Sequence, residues 1–185
     1  MMDNGQTYYE RYLDGDENAL VDILREYRDG LMLYINSQVK DMSLAEELTL
    51  DTFTKLTVKK PRFRGEGSFK TWLYTIGRNL TIDTLRKRKN YVPLDEVEGV
   101  SESGVSIEED YLRSEKNAAV RRCMDHLKSE HTQALWLVYF ENFTYADAAR
   151  VMKKTKRQFD SLIFRAKTSL KAELEKEGFV YEDKA

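Results

Sequence analysis

Cysteine occurs once in the 185 residues, at Cys123. A lone thiol closes no internal disulfide and supplies no cysteine cluster for structural zinc. Histidine occurs only at His126 and His131. No ligand spacing surrounds them, so both are expected in surface or core roles, and no metal or other cofactor is expected. Two prolines leave little to interrupt helices. No apolar run approaches the roughly 20 residues that cross a bilayer, so membrane insertion is not expected. The opening MMDNGQTYYERYLDGDE has neither a basic start nor an apolar h-region. It does not read as a secretory signal, and a reducing cytoplasm is the expected compartment. No segment alternates apolar and polar residues as a strand does, and no internal repeat is found.

Charge, by contrast, is plentiful and unevenly placed. The formal net charge is only −2. Residues 1–54 hold twelve acids and four bases, a net −8. Residues 55–90 hold eleven bases against Glu66 and Asp83, a net +9. Residues 91–110 hold seven acids and no base, and residues 150–171 hold eight bases against Asp160. Two basic blocks flanking an acidic one point to two contacts with a polyanion. The plainer alternative is solvated helix faces.

The segment YVPLDEVEGVSESGVSIEED (91–110) contains Pro93, Gly99 and Gly104, and reads as a flexible acidic linker. Before it, periodicity predicts helices near 7–13, 17–29, 31–40, 44–59 and 67–89. After it, helices are expected near 108–127, 130–140, 144–152 and 156–177. The fold class is therefore all-α, with two small helical domains joined by that linker.

In the first basic block, RFRGEGSFKTWLYTIGRNL, Ser68 can cap the helix that follows Gly65 and Gly67. Phe69, Trp72, Leu73, Ile76 and Leu80 share one face and are expected in the core. Lys70, Tyr74 and Arg78 share another with Thr81, Leu85 and Arg88. Cations beside exposed rings are how proteins grip unpaired strands, and the Gly-rich loop could shape a pocket for an extruded base. The alternative for Tyr74 is an ordinary boundary tyrosine.

In the second block, FTYADAARVM is a short helix capped by Thr144, with Asp147 three residues on. KKT makes a turn, and Thr155 caps the next helix. There Phe159, Leu162, Ile163, Ala166, Leu170 and Leu174 form an apolar stripe, while Lys156, Arg157, Asp160, Ser161, Phe164 and Thr168 point outward, with Arg165 at the flank. This is a helix-turn-helix whose second helix can enter a major groove. A hairpin packed only for stability is the alternative. No Walker loop, nucleophile elbow or metal spacing is present. Glu47 and Asp51 lie four apart on an acidic helix near no histidine, so no catalytic residue and no enzyme activity are expected.

LAEELTLDTFTKL, RFRGEGSFKTWLYTIGRNLTIDTLRKRK and, after the linker, CMDHLKSEHTQALWLVYFENFTYADAARVM and SLIFRAKTSL together resemble the extracytoplasmic-function (ECF) branch of the bacterial sigma-70-type sigma factors. The resemblance spans nearly all of residues 7–177. It implies a sigma region 2 domain over 7–90, the linker over 91–110 and a sigma region 4 domain over 111–177. By resemblance, Leu44, Glu46, Glu47, Leu48, Asp51, Phe53 and Thr57 belong to the helix that binds core RNA polymerase. Phe63, Arg64, Lys70, Tyr74, Arg78, Asn79, Arg86 and Arg88 fall on the surface that opens and reads the −10 promoter element. Thr144, Lys153, Lys154, Lys156, Arg157, Gln158, Ser161, Phe164 and Arg165 fall on the reader of the −35 element. The sequence departs from the family pattern at Leu44, where relatives often have an acid, and at Asp160 and Leu162, where they usually have bases. Core RNA polymerase and promoter DNA are the implied partners, with an anti-sigma factor as a further one. An autonomous helix-turn-helix regulator would explain 150–171 but leave 44–88 without a task. A protein that only sequesters a partner would leave both basic blocks unexplained.

Overall fold

The computed structural model describes residues 4–91 and 115–179, and every regular element among them is helical. The expected linker, apart from Tyr91, and the start of the helix expected at 108 lie outside the described residues. The N-terminal domain comprises α1 (Asn4–Leu13), α2 (Glu17–Val39), α3 (Met42–Lys59) and α4 (Phe69–Tyr91). The C-terminal domain comprises α5 (Glu115–Asp125), α6 (Ser129–Leu135), a π-helical turn (Trp136–Phe140), α7 (Tyr145–Val151) and α8 (Lys156–Lys176).

Local chemistry sets the boundaries. Asp16 caps α2 by accepting from the Asn18 amide, and Asp41 caps α3 by accepting from the Leu44 amide, each at 3.1 Å. Lys40 and Lys60 end these helices in the left-handed conformation. The two helices expected at 17–29 and 31–40 are one continuous helix. Glycine costs a helix only about 1 kcal/mol, and the buried stripe of Ile23, Tyr27, Leu31, Tyr34 and Ile35 runs straight past Gly30. The helix expected over 130–140 changes character after Leu135, where the π turn carries one more residue per turn. Trp136 and Phe140 stack within it, with ring centroids 4.5 Å apart.

In the N-terminal domain, Tyr9, Ile23, Tyr27, Leu31, Leu48, Phe53, Leu56, Phe69 and Leu73 form the core. In the C-terminal domain, Leu135, Ala148, Phe159, Leu162, Ile163 and Ala166 do so. The two cores are continuous: α6 packs against α2, and α7 packs against α4. That inter-domain contact decides which parts of the basic blocks face solvent.

Candidate nucleic-acid interface

The loop from Lys60 to Ser68 is built by aromatic anchors and two glycines. Tyr9 donates its hydroxyl to the Pro61 carbonyl at 2.8 Å, and burial pushes the Tyr9 phenol up to about 12. Phe63 packs on Trp72 and Phe69, with centroids 5.3 and 5.9 Å away. Gly65 and Gly67 adopt φ values of 72° and 99°, a backbone region that side chains other than glycine's seldom reach. Ser68 Oγ accepts from the Thr71 amide at 3.1 Å and starts α4, as the sequence predicts. Arg64 is exposed at the loop tip.

The stripe of Lys70, Tyr74 and Arg78 is not an open surface, contrary to expectation. Tyr74 is fully buried and Arg78 is 8% exposed. Tyr74 donates its hydroxyl to Glu141 Oε2 at 2.6 Å, and its ring meets Tyr34 and Phe143 at 5.4 and 5.1 Å. Lys70 Nζ reaches the Glu141 carbonyl at 2.9 Å and Oε2 at 3.0 Å. Arg78 Nε donates to Gln133 Oε1 at 2.9 Å. Glu141, Phe143 and Gln133 all belong to the C-terminal domain, so that domain covers this face. Burial raises the Tyr34 phenol above its ordinary range, with the Arg78 charge opposing the shift. Within α4 the exposed residues are instead Ile82, Asp83 and those from Leu85 to Arg88, and Thr75 is half-buried. Asn79 is half-buried, while Arg86 and Arg88 are exposed and pair with Asp83 at 3.2 Å and Asp41 at 3.9 Å.

The helix-turn-helix forms as its sequence predicts. Thr144 accepts from the Asp147 amide at 3.1 Å. Thr155 opens α8 with a full capping box, in which Gln158 Oε1 accepts from the Thr155 amide at 2.9 Å. Lys153 turns the chain at φ 52° and is exposed. Lys154 is half-buried and pairs with Glu130 at 3.2 Å. Lys156, Arg157, Gln158, Ser161, Phe164 and Arg165 are all exposed, Phe164 to 70%. Leu162, which stands where relatives usually carry a base, is buried among the α8 core residues. Asp160 is exposed and makes no ion pair among the described residues. Cations that were not singled out from the sequence also lie on this domain, Arg150 and Lys167 among them. Arg150 pairs with Asp147 at 3.0 Å, and Lys167, whose pKa is raised by hydrogen bonds to Tyr139 and Tyr145, lies 3.3 Å from Tyr145 Oη.

On α3 the split between interior and surface also differs from expectation. Leu44, Leu48 and Phe53 are buried in the bundle, and Thr57 is half-buried. The outward face holds Glu46, Glu47, Asp51 and two apolar residues that the motif reading missed, Leu50 (68% exposed) and Val58 (75%). The signal was available, because 47, 50, 51, 54 and 58 recur at helical spacing.

Two helical domains, one with a loop-and-helix basic surface and one with an open helix-turn-helix, define a class of two-part nucleic-acid readers. Family models agree with that division: Sigma-70 region 2 matches residues 23–91, and Sigma-70 region 4 matches residues 117–170. Among curated proteins, the RNA polymerase sigma factor YlaC of Bacillus subtilis is 27% identical over 86% of this chain and 94% of its own length. The ECF RNA polymerase sigma factor SigM of the same organism is 27% identical over 82% of this chain and 92% of its own. The sigma factor RpoE of Bartonella quintana, solved in complex with the anti-sigma factor NepR, shares the fold, with a TM-score of 0.62 at 21% identity over 82% of this chain and 94% of its own. The chain belongs to the sigma-70 family, in its extracytoplasmic-function branch. As a sigma factor it directs promoter-specific transcription with RNA polymerase.

Proposed function

We propose a division of that task among three surfaces. The exposed face of α3, with Glu46, Glu47, Leu50, Asp51 and Val58, docks on core polymerase. Acids beside apolar side chains suit a mixed interface. The loop around Arg64 and the α4 residues Lys70, Tyr74, Arg78, Asn79, Arg86 and Arg88 take the −10 element, where charge holds the backbone and rings meet bases that have left the stack. The open face of α8, from Lys156 to Arg165, enters the major groove at the −35 element. The domains divide as 7–90 and 111–177. The chain contributes binding rather than catalysis, and polymerase performs the chemistry. It works in the cytoplasm, and an anti-sigma factor binds it, as NepR is found in complex with RpoE of Bartonella quintana.

The observation that carries this reading is the presence, on one chain, of an open basic recognition helix and a separate basic loop-and-helix surface. An autonomous regulator needs only the first. The deciding experiment adds the purified chain to core RNA polymerase with a library of promoter-length DNA and maps initiation sites. Initiation at a shared pair of elements is expected; none above core polymerase alone would sink the reading. Within that assay, Glu47→Lys with Asp51→Lys should weaken co-purification with core polymerase while leaving the helical fold intact. Unchanged co-purification would remove α3 from the interface.

A further inference from the structure

The C-terminal domain holds a cavity that none of the three surfaces above uses. It measures about 820 Å³ and lies between α5, the π turn and the C-terminal half of α8. Its floor is apolar: Met124, Leu135 and Leu174 line it, each only 2% exposed. Its rim is cationic. Arg121, Lys167 and Lys171 line it, and among the described residues no acid does. Both lysines are exposed and the arginine is half-buried. Aromatic groups hold two of these charges in place. Lys167 Nζ donates to Tyr145 Oη at 3.3 Å and stands 5.6 Å over the Tyr139 ring. The Arg121 guanidinium lies 5.6 and 5.7 Å over the Trp136 and Phe140 rings. The π turn brings Tyr139 and Phe140 to the cavity wall, and π turns within helices are frequent at functional sites.

The chemistry of the walls narrows what fits. Small-molecule sites typically enclose about 300–1,000 Å³, and this cavity falls within that range. An apolar floor excludes a body rich in hydrogen-bonding groups, because each one buried without a partner is costly. An extended peptide and a phosphate backbone carry such groups throughout. Three rim cations favour a negative headgroup and disfavour a positive one. We infer that the cavity binds a small amphipathic organic anion. Its apolar body rests on Met124, Leu135 and Leu174, and its charged head meets Arg121, Lys167 and Lys171.

Binding to the full chain tests this with two probes. Anilinonaphthalene sulfonate, a fluorescent aromatic anion, should bind at one saturable site. Dodecanoate should displace it, whereas dodecyltrimethylammonium, matched in chain length and opposite in charge, should not. Lys167→Glu with Lys171→Glu reverses two exposed rim charges and should weaken both anions about tenfold or more, with helical content unchanged. Dodecanoate should also shift the methyl resonance of Met124 on the cavity floor and leave that of Met32, buried in the N-terminal domain, in place. The absence of saturable binding would overturn the site. So would equal displacement by the cationic chain, which would reduce the cavity to an apolar surface without charge selection. Unchanged affinity in a folded double variant, or a shift at Met32 without one at Met124, would overturn it as well.

Discussion

Helices α4 and α8 carry the two basic blocks, and they meet solvent in opposite ways. On α8 the polar stripe read from the sequence is the exposed one, and its apolar stripe is the core. On α4 the stripe through Lys70, Tyr74 and Arg78 faces another domain, and the face toward solvent lies a quarter to a half turn away. Helical periodicity separates apolar from polar faces. It does not distinguish a polar face that meets water from one that meets a partner carrying the complementary groups. Glu141 and Gln133 are those groups here.

Aromatic residues offer the sharpest way to break this contrast. Tyr74→Ala should destabilise the free chain by about 3–5 kcal/mol, as truncations of large buried side chains do. Phe164→Ala should shift stability by no more than about 0.5 kcal/mol while lowering −35 affinity. Thermal denaturation beside duplex binding reads both. A small stability loss at Tyr74 would mean that its face is open in solution and that the two helices are alike. A smaller effect is expected at the start of α8. Thr155→Ala removes the cap and should cost about 1 kcal/mol, with −35 binding weakened as the first turn frays. Smallest is Asp160→Ala. A carboxylate among phosphate-seeking side chains, with no ion pair among the described residues, should repel DNA. Its removal should raise affinity for all −35 sequences alike, by less than about fivefold. A loss confined to one base pair would instead make Asp160 a reader of cytosine.

Much of the fold was legible because caps and stripes are local. Asp16 was not anticipated as a cap, but Ser68, Thr144 and Thr155 were, and all three act as caps. The apolar stripe of α8 was legible for the same reason. Gly30 misled, because a glycine inside a helical pattern looks like a boundary when the group that needs its missing Cβ lies far along the chain, in Tyr74 and Glu141. Leu44, Leu48 and Phe53 were grouped with the polymerase contacts because a motif records positions without recording which way each side chain points. Their spacing from Leu50 and Val58 separates the two faces. The family resemblance assigned both expected nucleic-acid surfaces by position. It carried nothing about how the two domains sit against each other, because that depends on Glu141 and Phe143, which lie outside the matching motif of α4.

The capping box at the start of α8 also bears on the message this helix can read. Glutamine recognises adenine by a paired contact, its amide oxygen accepting from the base amine while its amide nitrogen donates to the ring. In Gln158 the oxygen already holds the Thr155 amide at 2.9 Å. Turning the amide plane toward a groove would undo the box and loosen the helix end. With the box intact, one lone pair of the Gln158 oxygen is taken, and its amide hydrogens suit acceptors such as guanine O6 and N7 or thymine O4. If α8 enters the groove as proposed, a backbone hydrogen bond at its first turn weighs against the paired adenine contact.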